Sequence, residues 1–180
     1  MWKNRIGSLG VCLLLFFWIP TGATGQDVPV KEVIDTIKNM NFVTTTLGIV
    51  SNGIPEATVE ELTSLQTAMP RQMRIYITES QAAREVFVDF TFLVNDKNVD
   101  AVLIWPSEKM NKKSVIKKMC YMSKTKKIPI IALDAGWLDE GAAAVITSNN
   151  GTVTVTENSV ITKAMKFPIA DKPDYTIVQR

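Results

Sequence analysis

Apolar and polar positions follow two periods that take turns along the chain. Val33, Ile34 and Ile37 mark one face of a short amphipathic helix over residues 30–40. Thr44 to Val50 is a β-rich run that stops at the turn residues Ser51-Asn52-Gly53. Pro55 suits the first turn of a helix, and Val59, Leu62, Leu65 and Met69 share one face of it. Met73 to Thr78 predicts a second strand. Ser80 is placed to cap a helix whose apolar face is Ala83, Val86, Phe87, Phe90, Leu93 and Val94. Asp100 to Trp105 predicts a third strand, and Ser107 is placed to cap a helix that turns Val115, Ile116, Met119, Cys120 and Met122 inward. Ile128 to Leu133 is a fourth strand without a polar interruption, as in strands buried on both faces of a parallel sheet.

The rhythm changes after Ala142. Ala142 to Thr147 reads as a fifth strand, followed by Ser148-Asn149-Asn150-Gly151 and the alternating run Thr152 to Thr156. Asn-Gly between two β-rich runs is a strong hairpin signal. A short amphipathic segment with Val160, Ile161, Ala164 and Met165 then leads to a polar C-terminus. Repeated β-α alternation implies right-handed crossovers and a doubly wound sheet. The expected fold is α/β: a flavodoxin-like three-layer sandwich with a mostly parallel five-stranded sheet and a C-terminal antiparallel hairpin.

The N-terminus changes the picture of compartment and charge. Lys3 and Arg5 precede the apolar run Val11 to Ile19, and Ala23-Thr24-Gly25 follows Pro20. That is the layout of a cleaved export signal, and the apolar run is far short of the ~20 residues of a membrane-spanning helix. Cleavage before Gln26 is expected, giving a secreted or periplasmic protein with no membrane insertion after signal removal. The organisation read here is an export signal at 1–25, an N-terminal helical segment at 26–42 and a single α/β domain at 43–180. The formal charge of +2 is carried by Lys3 and Arg5, so the mature chain is neutral and exerts no global pull on nucleic acid. Cys120 is the one cysteine beyond the signal, which excludes an internal disulfide.

Several stretches resemble a known family. "VDAVLIWPSEKM" (99–110), "KKIPIIALD" (126–134) and "GWLDEGAAAVI" (136–146) are similar to one lobe of the substrate-binding proteins of ABC transporters, in the branch with a periplasmic-binding-protein type I fold. The closing "GTVTVTENSVITKAMKFPI" resembles that family's last strand and helix. The resemblance implies the fold above and an exported, non-enzymatic binding role in transport. The family closes two lobes over its ligand, whereas this chain has room for one, and a tight turn at 149–151 replaces one of its helices. The segment 141–169 also resembles the end of YfiR-type periplasmic regulators, which implies the alternative of an interaction protein docking on a membrane signalling protein. The early aromatic-rich helix and paired cysteines of that type are absent.

In open parallel sheets, ligands bind beyond the carboxyl ends of the strands. Those ends carry Ser51, Asn52, Glu79, Ser80, Trp105, Ser107 and Asp134, the candidate ligand- or partner-binding residues. They suit a small polar ligand with an apolar portion stacked on Trp105, or an exported or membrane partner protein, a second copy included. Each also has a plainer role: Ser80 and Ser107 as helix caps, Ser51 and Asn52 as turn residues, Asp134 as the cap of a turn before Trp137, and Trp105 packed under the following loop. The lysines from Lys109 to Lys127 flank an inward apolar stripe and read as a solvated helix face, or else as a face for an acidic partner or anionic headgroups. The chain has no histidine, no glycine-rich phosphate loop, no nucleophile elbow and no zinc-spaced cysteines. No catalytic residue, cofactor, metal or nucleic-acid partner is expected.

Overall fold

The computed structural model describes residues 28–41, 44–68, 73–149, 151–172 and 175–180. The export signal expected at 1–25 lies outside the described residues, as does Met69. The elements in chain order are α1 (Val30–Met40), β1 (Thr46–Ser51), α2 (Glu56–Ala68), β2 (Arg74–Glu79), α3 (Glu85–Asn95), β3 (Ala101–Ile104), α4 (Lys113–Lys126), β4 (Ile130–Ala132), α5 (Gly136–Glu140), β5 (Ala144–Asn149), β6 (Thr152–Glu157), α6 (Ser159–Met165) and β7 (Thr176–Gln179).

One sheet holds all seven strands, in the order β2-β1-β3-β4-β5-β6-β7. The first five pair in parallel, β6 runs antiparallel to β5, and β7 pairs in parallel with β6. The expected sheet and hairpin are present. The polar C-terminus is corrected: it adds a strand, fixed by the buried Tyr175 and by the Arg180 amide donating to the Glu157 carbonyl at 2.9 Å. At the hairpin, Asn149 pairs with Thr152, and Gly151 has φ +76°, a backbone state that glycine adopts at little cost.

Side chains on successive strand residues point to opposite faces, and both faces are buried. Leu47, Ile49, Ala101, Leu103, Ile131, Ala144 and Ile146 join a core with Val33, Ile34, Ile37 and Met40 of α1 and Leu62 of α2. Val50, Val102, Ile104, Ile130, Ala132 and Val145 join a second core with α3, α4 and α5. The result is three layers, α/β/α. The helical segment expected at 26–42 contributes to the first of these cores. At the lower edge of the sheet, the Asp100 carboxylate accepts from the Thr45 and Thr46 amides at 2.8 and 2.9 Å, which aligns the starts of β3 and β1.

Candidate functional site

β1 is flanked by β2 on one side and β3 on the other, so the chain leaves β1 in one direction and returns to fill the other. The helix after β1, α2, packs on one face of the sheet, and the helices after β2 and β3 pack on the opposite face. The loops that leave the carboxyl ends of β1 and β3 therefore diverge, and ligands of open α/β sheets bind where strand order reverses in this way. A crevice of about 550 Å³ opens at that place. Gly53, Pro55, Thr58 and Glu61 from the β1–α2 side form one wall, Trp105 and Pro106 the other, and Val28 to Val30 at the head of α1 close one end.

Trp105 comes to this crevice by strand parity. It follows Ala101 and Leu103 in alternation, and its ring packs against the core shared with α1 and α2 while remaining half-buried. Its amide donates to the Val50 carbonyl at 2.9 Å, which extends the β1–β3 pairing to the lip of the site. Pro106 breaks that pairing, because a proline has no amide to continue it.

The other predicted residues stand at the same end of the sheet, most of them bound to the protein itself. Ser51 is fully buried and its hydroxyl donates to the Thr78 carbonyl at 3.2 Å. The Asn52 side-chain amide donates to the Ser80 carbonyl. Ser80 is buried and its hydroxyl donates to the Asp89 carboxylate. It does not cap α3, which starts at Glu85; the Gln81 and Ala82 amides ahead of it are satisfied by the Glu85 carboxylate at 2.7 and 3.1 Å. Glu79 pairs in register with Ser51 and is exposed. Ser107 accepts from the Met110 amide at 3.2 Å and so caps the single turn before α4. The helix itself starts at Lys113 without a side-chain cap. Asp134 has the turn-capping role: one carboxylate oxygen accepts from the Gly136 amide at 2.8 Å, and the other from the Asn111 side chain at 3.0 Å. Asn111 in turn accepts from the Trp137 indole at 3.1 Å.

The structure thus brings Ser51, Asn52, Glu79 and Ser80 together at the β1–β2 edge, and Ser107 and Asp134 at the β3–β4 edge. Trp105 stands between the two groups, on the wall of the crevice. The lining residues Val28, Pro29, Pro55, Thr58 and Glu61 were missed by sequence reasoning. Their signal was the Gly53-Ile54-Pro55 loop, which faces the end of β3 once the order of strands is known.

No protein-family model and no curated protein matches the chain. Solved structures do. The chain is similar to the ligand-free, open form of a substrate-binding protein with adhesive properties from Clostridium difficile, with a TM-score of 0.61 and 15% identity over 84% of this chain. The chain shares the fold of the aligned part of that substrate-binding protein. An ABC domain from Streptococcus pneumonia in complex with L-Trp aligns with a TM-score of 0.65 at 12% identity over 83% of the chain. A conserved domain protein from Vibrio cholerae aligns with 0.65 at 14% over 84%. At such identities the likeness is one of fold. The chain spans about three-fifths of the length of these proteins: 60%, 62% and 60%.

Proposed function

We propose that the chain is an exported, non-catalytic binding protein that takes a small ligand in the β1–β3 crevice. The observation that carries this reading is the crevice itself, open where strand order reverses and walled by Trp105. Trp105, Pro106, Pro55 and Val28 offer apolar surface, and Thr58 a hydroxyl. Among the described residues, Glu61 is the one charged member of the lining. A neutral or cationic ligand with a flat apolar portion fits that set. The L-Trp complex of one fold neighbour is in keeping with an aromatic ligand. Non-catalytic character is supported by the absence of histidine from the sequence. Among the described residues, no three acidic, histidine or cysteine side chains gather into a metal-binding group.

The crevice has two walls and a closed end but stays open at its mouth. Small ligands are usually mostly enclosed, and each Å² of apolar ligand surface left wet forfeits about 25 cal/mol. The isolated chain therefore binds its ligand in the high micromolar range or weaker, and a second surface, from another chain or a second copy, completes the site over Trp105 and Glu61. Calorimetry with a panel of aromatic amines, amino acids and sugars tests this. Weak binding of an aromatic amine, lost in Trp105→Ala and weakened in Glu61→Gln, is the expected result. Sub-micromolar binding by the monomer that Trp105→Ala leaves unchanged would reject the site. Export is tested separately by N-terminal sequencing of the secreted product, for which Gln26 is the expected first residue.

A further inference from the structure

The face of the sheet opposite Trp105 carries a second surface of different character. Helix α3 carries apolar side chains beyond its buried face: Val86, Phe90 and Leu93 are buried, whereas Val88 and Phe92 are 66% and 41% exposed. Apolar side chains grouped on a surface, unlike single ones, mark an interaction site. Beside it, α4 presents Tyr121 at 71% exposure. An open groove of about 580 Å³ runs between the two helices, floored by Phe87, Val88, Phe92 and Met122 with Lys118 and Asp96 at its edges. The ammonium of Lys118 lies 4.0 Å from the centre of the Phe87 ring, and that of Lys97 lies 5.1 Å from the centre of Phe92. The two charges thus stand directly over the aromatic rings of the groove, in cation–π contact.

Charge selects the occupant. The segment Lys113–Lys126 holds five lysines and no acidic residue. Among the described residues, the ion pairs join Lys31 to Asp35, Lys113 to Glu140 and Arg180 to Asp139, so Lys97, Lys117, Lys118 and Lys124 have no carboxylate partner there. A second copy on a two-fold axis would bring the same patch against itself and set lysine against lysine. A lipid surface would meet the protruding Tyr121 and leave the groove unfilled. The walls, helices of 11 and 14 residues, are about 16 and 21 Å long at ~1.5 Å per residue, a length suited to one helix laid along them. We propose that the α3–α4 groove docks an acidic amphipathic helix of a partner protein. The partner's apolar stripe rests on Phe87, Val88, Phe92 and Met122, and its carboxylates meet Lys97 and Lys118, which is the helix-in-groove mode. This surface is independent of the Trp105 crevice.

The test uses the full chain and a labelled synthetic helix of about 18 residues, with Leu and Phe at helical spacing and Glu elsewhere, read by fluorescence anisotropy. A control peptide carries Lys in place of Glu. The acidic peptide is expected to bind in the micromolar range, at least about tenfold more tightly than the control, and more weakly in high salt. Lys97→Glu with Lys118→Glu should weaken it about tenfold or more, and Val88→Ser with Phe92→Ser similarly. Lys118 is exposed and Lys97 partly exposed, so their reversal leaves the core intact and a loss of binding is not a loss of fold. The absence of acidic-peptide binding, equal binding of both peptides, or indifference to both pairs of substitutions would overturn the proposal. So would co-sedimentation with phosphatidylglycerol vesicles in place of peptide binding, which assigns the face to lipid, or a dimer that Phe92→Ser dissolves, which assigns it to a second copy.

Discussion

Trp137 is fully buried at the start of α5, and its indole N–H finds its acceptor on Asn111, a residue of the turn before α4. Asn111 is also the donor to Asp134, so one side chain ties the ends of β3 and β4 together. A buried donor left without a partner costs about 1–3 kcal/mol. Asn111→Ala is expected to lower stability by that amount in urea titration, with Asn111→Gln intermediate. Cys120 gives the second prediction at this scale. Burial pushes its thiol up from 9.0 to about 12, an effect that Lys124 opposes and Glu140 reinforces. A folded-state value above the unfolded one means that the neutral thiol favours the fold below pH 9, and that this contribution is lost as pH rises toward 12. Wild type should therefore lose stability relative to Cys120→Ala across that range, and the native thiol should resist labelling at pH 8. A parallel pH dependence of the two proteins would count against this. The burial of Cys120 was legible in the sequence, because it shares the stripe of Ile116 and Met119. The partners of Ser80 and Asp134 were not, since Asp89 and Asn111 reach them through the fold and not through local spacing.

At the scale of elements, the agreement follows from burial. Strands buried on both faces print as unbroken apolar runs, and β1, β3 and β4 lie within residues of the expected bounds. Two elements escaped. β7 has a mostly exposed four-residue pattern and is held by contacts with β6 and by Tyr175, and such long-range terms leave no period in the sequence. α5 is five residues long, too short to show one. Ser107 misled because it caps a turn that precedes the helix instead of the helix. Packing between β1 and α3 gives the prediction here. A Cβ built on Gly48 would lie 2.9 Å from Leu93 Cδ1 and 3.4 Å from Leu93 Cβ, and Leu93 is fully buried. Gly48→Ala should destabilise by about 1–3 kcal/mol through overpacking, and Gly48→Ala with Leu93→Ala should recover less than the sum of the two costs, because the residues share one space. Strict additivity in the double-mutant cycle would show that α3 moves aside.

For the whole molecule, the position of the crevice was readable in outline: strand ends carry sites in open α/β sheets, and Trp105 stands at one. Which strand ends face each other was not readable, because strand order is decided by crossovers. The order β2-β1-β3-β4-β5-β6-β7 has a consequence for how the molecule comes apart. Once β2 is set aside, every strand lies beside the one made just before it, so the sheet grows outward from β1 and frays inward from β7. Amide exchange opens locally from regions with few buried contacts. The amides of β1, β3 and β4 should exchange only with global unfolding, those of β6 earlier, and those of β7 first of all. Read by hydrogen–deuterium exchange, that gradient would run along the sheet against the order of synthesis. The wall of the Trp105 crevice would then be among the last parts to open, while the C-terminal edge is already exchanging with water.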